Sequence, residues 1–115
     1  DGAVVPDRLL DDQSLIIRTS RGLLIVLGCA HSGVINVIDH AVRLTGIDRI
    51  FGVVGGTHLG FSDEEQIKRA TQKLKGYGIE RLVPSHCTGM PVAMQLRAEL
   101  PGAFELSHVG KVLEF

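Results

Sequence analysis

The sequence contains few aromatic residues and few cysteines. Its 115 residues include four Phe, one Tyr and no Trp, although 44% of the residues are hydrophobic. A chain of this length and composition can bury the modest core of one α/β domain, or of part of one. Only two cysteines, Cys29 and Cys87, are present. We expect reduced thiols, with a disulfide as the alternative.

An excess of charge of one sign and long apolar runs are also missing. Lys and Arg number 12, Asp and Glu number 13, and the formal net charge is −1. Without a basic cluster, neither nucleic acid nor an anionic membrane is an expected partner. The apolar runs are far shorter than the roughly 20 residues that span a bilayer. The first residues lack the pattern of a signal peptide, so we expect a cytoplasmic protein. The start at Asp1, without Met, suggests an origin within a longer chain.

Strand-like and helix-like segments alternate along the chain, which predicts an α/β fold. A helix from Ser62 is predicted by a capping box with Glu65, and it should stop at the Gly-Tyr-Gly of residues 76–78. Residues 104–115 suggest one or two final strands. The other predicted elements are a hairpin of strands at 14–19 and 22–28, strands at 49–56 and 80–86, and helices at 34–45 and 91–100.

Three of the five histidines lie in loops that directly follow predicted strands. They are His31 in "GCAHSG", His58 in "GGTHLG" and His86 in "PSHCTG". The carboxyl ends of strands are where α/β sheets collect ligand-binding groups, and the small flanking residues leave an imidazole free to point outward. His40, inside a helical pattern, and His108, in the tail, lack this setting. We expect the three loop histidines to converge on one edge of the sheet.

A metal site is the favoured interpretation of these histidines. Neutral imidazole is a common ligand of zinc-like metals, and it also serves as a general acid or base near neutral pH. A nucleophile built from Cys29 or Cys87 with its neighbouring His is disfavoured, because residues one or two apart point in different directions. We expect Cys87 to be a small buried residue behind the site. Surface or capping roles remain the alternative for each histidine.

Two long stretches, residues 9–41 and 53–89, resemble the carboxyl half of a metallo-β-lactamase superfamily protein. Within that superfamily they resemble the branch of 7,8-dihydropterin-6-methyl-4-(β-D-ribofuranosyl)-aminobenzene 5′-phosphate synthases. The resemblance extends over about residues 7–115. It implies that residues 1–115 form a partial domain, the carboxyl half of an αβ/βα sandwich. The sheet should be mixed, with helices mainly on one face, because the layers that would cover the other face belong to the amino half.

The resemblance also implies a site with one or two divalent metal ions, commonly zinc, at the edge of the sheet. His31 and His86 match ligand histidines of the family. His58 lies on the loop where many members carry a bridging Asp, so it either replaces that ligand or faces the substrate. The amino-half signature "HxHxDH", which supplies the first ligands, does not occur in this sequence.

Four further residues are candidates for substrate binding or for orienting the ligands. Thr57 and Thr88 are candidates for hydrogen bonds that orient imidazoles, or they form turns. Asp12, which with Asp11 matches a pattern of the branch, caps a turn, binds substrate or holds a ligand histidine. Ser32 precedes a helix whose amino end could receive a substrate phosphate or carboxylate, or it only caps that helix.

The implied function is metal-assisted hydrolysis of a small-molecule ester, phosphoester or pterin-related substrate. The alternative is a noncatalytic fragment or half-domain that assembles with an amino-terminal half or a second copy. Because metal affinity falls steeply when ligands are missing, we expect weak metal retention and no turnover from this chain alone.

Overall fold

A four-stranded mixed sheet forms the centre of the computed structural model, which describes residue 6 and residues 8–115. The strands are β1 (Ser14–Thr19), β2 (Gly22–Leu27), β3 (Ile50–Gly56) and β4 (Arg81–Ser85). They lie side by side in chain order; β1 and β2 form an antiparallel hairpin, whereas β2, β3 and β4 are parallel. The mixed sheet and the hairpin predicted from the sequence are confirmed.

Three helices pack against one face of this sheet. They are α1 (Val34–Thr45), α2 (Glu64–Gly76) and α3 (Met90–Glu99), and short 3-10 turns lie at Leu59–Phe61 and His86–Thr88. One hydrophobic cluster joins all three helices to the sheet; its strand members include Leu23, Ile25, Leu27, Ile50, Val53 and Leu82, and its helix members include Val34, Ile38, Ala41, Ile67, Leu74 and Leu96. The buried residues of each helix therefore face the sheet.

The opposite face of the sheet is covered only in part. The Phe51 ring packs edge-on against Phe115, with ring centroids 5.7 Å apart, and the Arg21 guanidinium lies 4.2 Å from the Phe51 centroid. On β1, however, Leu15 is 65% exposed and Ile17 is 42% exposed. Because side chains alternate along a strand, both lie on the face opposite the helices. This part of the open face is therefore apolar and accessible to solvent.

The capping box of α2 is one residue later than predicted. The Gln66 N–H donates to the Asp63 carboxylate at 2.8 Å, and the Asp63 N–H donates to the Gln66 side chain at 3.2 Å. Ser62 instead closes the preceding 3-10 turn, since its N–H donates to the Leu59 carbonyl. The prediction of Ser62 and Glu65 as the capping pair is wrong, because the sequence pattern does not reveal that turn.

The predicted strands in residues 104–115 are also wrong. The tail makes one isolated bridge between Leu82 and Phe104, and the Glu105 N–H donates to the Leu82 carbonyl. Beyond this bridge the described tail is irregular, and Val109 and Val112 are exposed. The described tail therefore touches β4 at this bridge without pairing along it as a strand. Among the described residues, the helices are too short and too polar to cross a membrane.

Candidate metal centre

The three loop histidines lie at the carboxyl edge of the parallel strands, but only His31 and His58 belong to the same group of potential ligands. The ligand atoms of Cys29, His31 and His58 lie within 4.8 Å of one another, and so do those of Cys29, His86 and Cys87. The Cys29 sulfur belongs to both groups and therefore links them. Parallel strands bring their carboxyl ends to the same edge, which is why residues so far apart in sequence come together. Either group has the donor atoms to hold a metal ion.

The His31 and His58 rings are both half-buried and contact each other. The His31 ring packs edge-on against the His58 ring with centroids 4.7 Å apart, and the His58 ring lies 4.9 Å from that of Phe61. The His31 Nδ1 atom is buried, and within the described residues it has no hydrogen-bond partner. A buried polar nitrogen without a partner is rare in folded proteins, which makes this imidazole a candidate metal ligand or hydrogen-bonding group. His86, by contrast, is exposed.

The backbone at this edge is strained. His58 and His86 have φ values of 58° and 53°, and Ala30, next to His31, has 54°. Residues other than glycine avoid this left-handed region, at a cost of roughly 1–2 kcal/mol each. Such strain persists only where surrounding contacts fix the conformation, and it clusters at functional sites.

The carboxylate of Asp12 holds the loop between β2 and α1. It accepts the backbone N–H groups of His31 at 2.7 Å and Cys29 at 3.2 Å, and its side chain is only 12% exposed. Burial alone would raise the pKa of Asp12, but these backbone donors outweigh it and hold the pKa below its usual value. The carboxylate oxygen also lies 3.8 Å from His31 Nδ1, which is beyond hydrogen-bond distance.

The hydroxyl groups of Thr57 and Thr88 bind each other beneath the site. Their oxygens are 2.9 Å apart, and the Thr57 N–H donates to the Thr88 hydroxyl at 3.2 Å. Both residues are 1% exposed. The pair therefore joins the loop after β3 to the loop after β4. Orientation of an imidazole by either hydroxyl stays a prediction.

Ser32 lies on the surface ahead of α1. Its carbonyl accepts the Asn36 side-chain amide at 2.6 Å, and α1 begins after Gly33 with no side-chain cap. Capping by the Ser32 hydroxyl is therefore not observed. With Asp12, Ser32 lines a groove of about 500 Å³ between β1 and α1, which His40 and Arg43 also line. Ser32 thus shares this groove with Asp12, but none of the three loop histidines lines it.

A pair of sulfur atoms is the feature of this site that the sequence did not reveal. Cys29 Sγ and Cys87 Sγ are 3.0 Å apart, and Cys29 Sγ is 3.7 Å from His58 Nδ1. Both cysteines are half-buried, so Cys87 lies in the site rather than fully buried behind it. The hydrogen bond with Cys87, together with burial, raises the pKa of Cys29 to about 11. The sequence feature that could have indicated this pair is that Cys29 and Cys87 each lie within two residues of a loop histidine.

Comparisons with known proteins show what the chain is similar to in sequence and fold. No protein-family model matches the chain. Over 115 residues it is 35% identical to the 7,8-dihydropterin-6-methyl-4-(β-D-ribofuranosyl)-aminobenzene-5′-phosphate synthase of Methanocaldococcus jannaschii. Over 113 residues it is 36% identical to the uncharacterized protein MJ0448 of the same organism. The chain spans 39% and 40% of the lengths of these two relatives.

A solved structure is also similar. The crystal structure of Tm1679, a metal-dependent hydrolase of the β-lactamase superfamily, superposes with a TM-score of 0.83 at 32% identity. The match covers 89% of this chain and 40% of that protein. The predicted resemblance to the metallo-β-lactamase superfamily is thus confirmed: the chain is similar to the carboxyl-terminal part of the synthase and has the fold of the matching part of the hydrolase.

Proposed function

We propose that this chain supplies histidine ligands to the metal centre of a metallo-β-lactamase-like, metal-dependent hydrolase. The observation that carries the proposal is that two groups of potential ligands at one sheet edge, one with His31 and His58 and the other with His86, share the Cys29 sulfur. Imidazole nitrogens are preferred ligands of zinc, so zinc is the proposed ion, with one or two ions in a complete domain. Similarity to a metal-dependent hydrolase supports a divalent metal at this place.

The surroundings of His31 fit a ligand histidine. A metal-bound imidazole commonly donates its second ring N–H to a carboxylate. His31 Nδ1 is buried without a partner, and the Asp12 carboxylate lies 3.8 Å from it. We therefore assign Nε2 of His31 to the metal and Nδ1 to Asp12, which a small movement of the ring would bring into hydrogen-bond distance.

The bound ion would activate water and polarise the reacting oxygen of the substrate. The chain's own residues would position the ligands: Asp12 fixes the loop that carries His31, and the Thr57–Thr88 pair joins the loops that carry His58 and His86. The proposed substrate is a small-molecule ester, phosphoester or pterin-related compound. The Phe61 ring, which is 77% exposed beside His58, offers a flat apolar surface on which an aromatic ring system could stack.

A second candidate function is that of a noncatalytic half-domain that pairs with another chain. The exposed Leu15 and Ile17 on the open face of β1 favour this, because exposed apolar sheet faces promote association. The partner would be an amino-terminal half carrying "HxHxDH", or a second copy. In that case the histidines complete a metal centre only in the assembly.

Zinc binding by histidine variants tests the proposal. We would measure zinc affinity by calorimetry for the chain alone and after addition of the amino-terminal part of the synthase relative. The turnover of a phosphodiester and of a lactam would be followed in parallel. Weak binding and no turnover are expected from the chain alone, and both should rise on complementation. His31→Gln and His86→Gln should abolish the gain.

The other two histidines supply matched controls. His40 lies on α1 and His108 on the tail, and both are exposed. His40→Gln and His108→Gln should bind zinc like the parent chain. Equal zinc affinity of the parent, His31→Gln and His86→Gln chains after addition of the amino-terminal part would contradict the proposal. Stoichiometric zinc and turnover in the isolated chain would instead contradict the half-domain alternative.

A further inference from the structure

We propose that Cys29 and Cys87 are a redox modification site that closes into an intramolecular disulfide when a hydroperoxide oxidises the chain. Their sulfur atoms are 3.0 Å apart. A disulfide bond is about 2.05 Å long, so the sulfurs need to approach by only about 1 Å. The inference concerns the metal-free chain, because Cys29 belongs to both groups that could hold a metal ion.

The contact between these sulfurs depends on the glycine at the end of the strand between them. Cys29 follows β2 and Cys87 follows β4, and β3 lies between those strands. Strands that flank a common neighbour are roughly 9.6 Å apart, whereas a disulfide needs Cα atoms within about 7 Å. A Cβ atom on Gly56 would lie 2.8 Å from Cys87 Sγ and 3.2 Å from Cys29 Cα. The missing side chain lets the two loops converge above the end of β3.

Backbone contacts keep the Cys87 side chain directed at its partner. The His58 N–H donates to Cys87 Sγ at 3.1 Å, and the Cys87 thiol donates to the Cys29 carbonyl at 3.3 Å. Both cysteines are half-buried, so a small oxidant can reach them. The pair is therefore both aligned and accessible.

The oxidation is balanced without any group from the protein other than the two thiols. Each thiol loses one hydrogen and the two sulfur atoms form one bond. The O–O bond of the hydroperoxide breaks, which yields an alcohol and water, or two waters from hydrogen peroxide. A dithiol reductant reverses the reaction by thiol–disulfide exchange.

The bond would tie the loop that carries His31 to the loop that carries His86. It would also close a chain segment between residues 58 positions apart. Closing a segment of that length restricts the unfolded chain, so the oxidised form should melt higher, by roughly 10 °C for a domain of this size. Fixing two loops of the candidate site is the functional consequence.

Mass spectrometry of peroxide-treated protein tests this inference. The reduced chain would be treated with hydrogen peroxide in the presence of a chelator, and intact mass, peptide maps and Tm would be recorded. We expect the loss of two hydrogen atoms, a linked peptide pair containing Cys29 and Cys87, and a rise in Tm that dithiothreitol reverses. Cys29→Ser and Cys87→Ser should show neither the link nor the rise.

A shifted thiol provides the proximity control. In the chain with Cys87→Ser and Ser85→Cys, two cysteines remain but the second lies two residues earlier on β4. Its intramolecular link should form far more slowly than that of the parent chain. Equal rates in both chains, links only between molecules, oxidation only to sulfinic acid, or a lower Tm after linkage would each overturn the inference.

Discussion

Replacing Asp12 by alanine should destabilise the chain more than any other single change of a carboxylate at the carboxyl edge of the parallel strands. The Asp12 carboxylate accepts two backbone N–H groups, from His31 at 2.7 Å and from Cys29 at 3.2 Å, and its side chain is 12% exposed. Hydrogen bonds to a charged group contribute about 1.5–3 kcal/mol each. Since water can reach part of the vacated space, we expect a total loss of about 3 kcal/mol.

Urea unfolding at pH 7, followed by circular dichroism, measures this loss directly. In a domain of this size, a loss of about 3 kcal/mol corresponds to a decrease in Tm of roughly 10 °C. Asp11→Ala is the matched control, because Asp11 is the exposed neighbour in the same turn. It should change the free energy of unfolding by less than about 0.5 kcal/mol. Asp12→Asn, which keeps one carbonyl acceptor, should fall between the two variants.

One result would refute this reasoning. If Asp12→Ala unfolds at the same urea concentration as Asp11→Ala, the carboxylate does not hold the loop between β2 and α1. The low pKa of Asp12 would then have no energetic counterpart, because a pKa shift and a stability difference are linked. An altered m-value with an unchanged midpoint would point to the unfolded state instead.

Three further predictions concern the same edge of the sheet. The pKa of Asp12 is lowered in the folded chain. Its contribution to the free energy of unfolding should therefore be complete above the unfolded-state pKa of about 4, and it should be lost as the pH falls through the lower, folded-state pKa. Over that fall in pH, the difference in Tm between the parent chain and Asp12→Asn should become smaller. Thr88→Val leaves the Thr57 N–H without its acceptor and should lower the free energy of unfolding, measured with urea, by about 2 kcal/mol. The double change Thr57→Val/Thr88→Val should lower it by less than the sum of the two single changes. Additive losses would exclude coupling between the two residues. The free energy of unfolding of His58→Gly should be about 1 kcal/mol higher than that of His58→Ala, because φ at this position is 58°. Equal free energies of unfolding would show that the backbone is relaxed there.

The sequence was sufficient to predict elements with a strong periodic pattern. Helix α1 was predicted at residues 34–45 and occupies Val34–Thr45, ending at Gly46 in a left-handed conformation. Its apolar spacing and its terminal glycine gave the same answer, which is why both ends were right. The prediction for the tail was wrong because its apolar residues suggested strands, whereas in the described tail the only pairing with β4 is the single bridge at Phe104.

The place of the histidines was predictable, but their surroundings were not. Three imidazoles after three parallel strands must meet at one edge, so His31, His58 and His86 followed from the order of the elements. The sulfur pair did not, because contact across β3 requires the space above Gly56. That space is set by the twist and convergence of loops, and no local pattern in the sequence encodes it.

The backbone strain at the carboxyl edge of the parallel strands is concentrated in the loops that carry the candidate site. Among the described residues, four that are not glycine have left-handed φ values, and three of them, Ala30, His58 and His86, lie in the loops that follow β2, β3 and β4. Glycine at these positions would relieve the strain but, at the two histidine positions, would remove the imidazole. The surrounding contacts of Asp12 and of the Thr57–Thr88 pair offset a conformation that the loops would not adopt alone. Strained histidines that surrounding contacts hold in place are typical of functional sites, which supports the proposed metal centre at this edge.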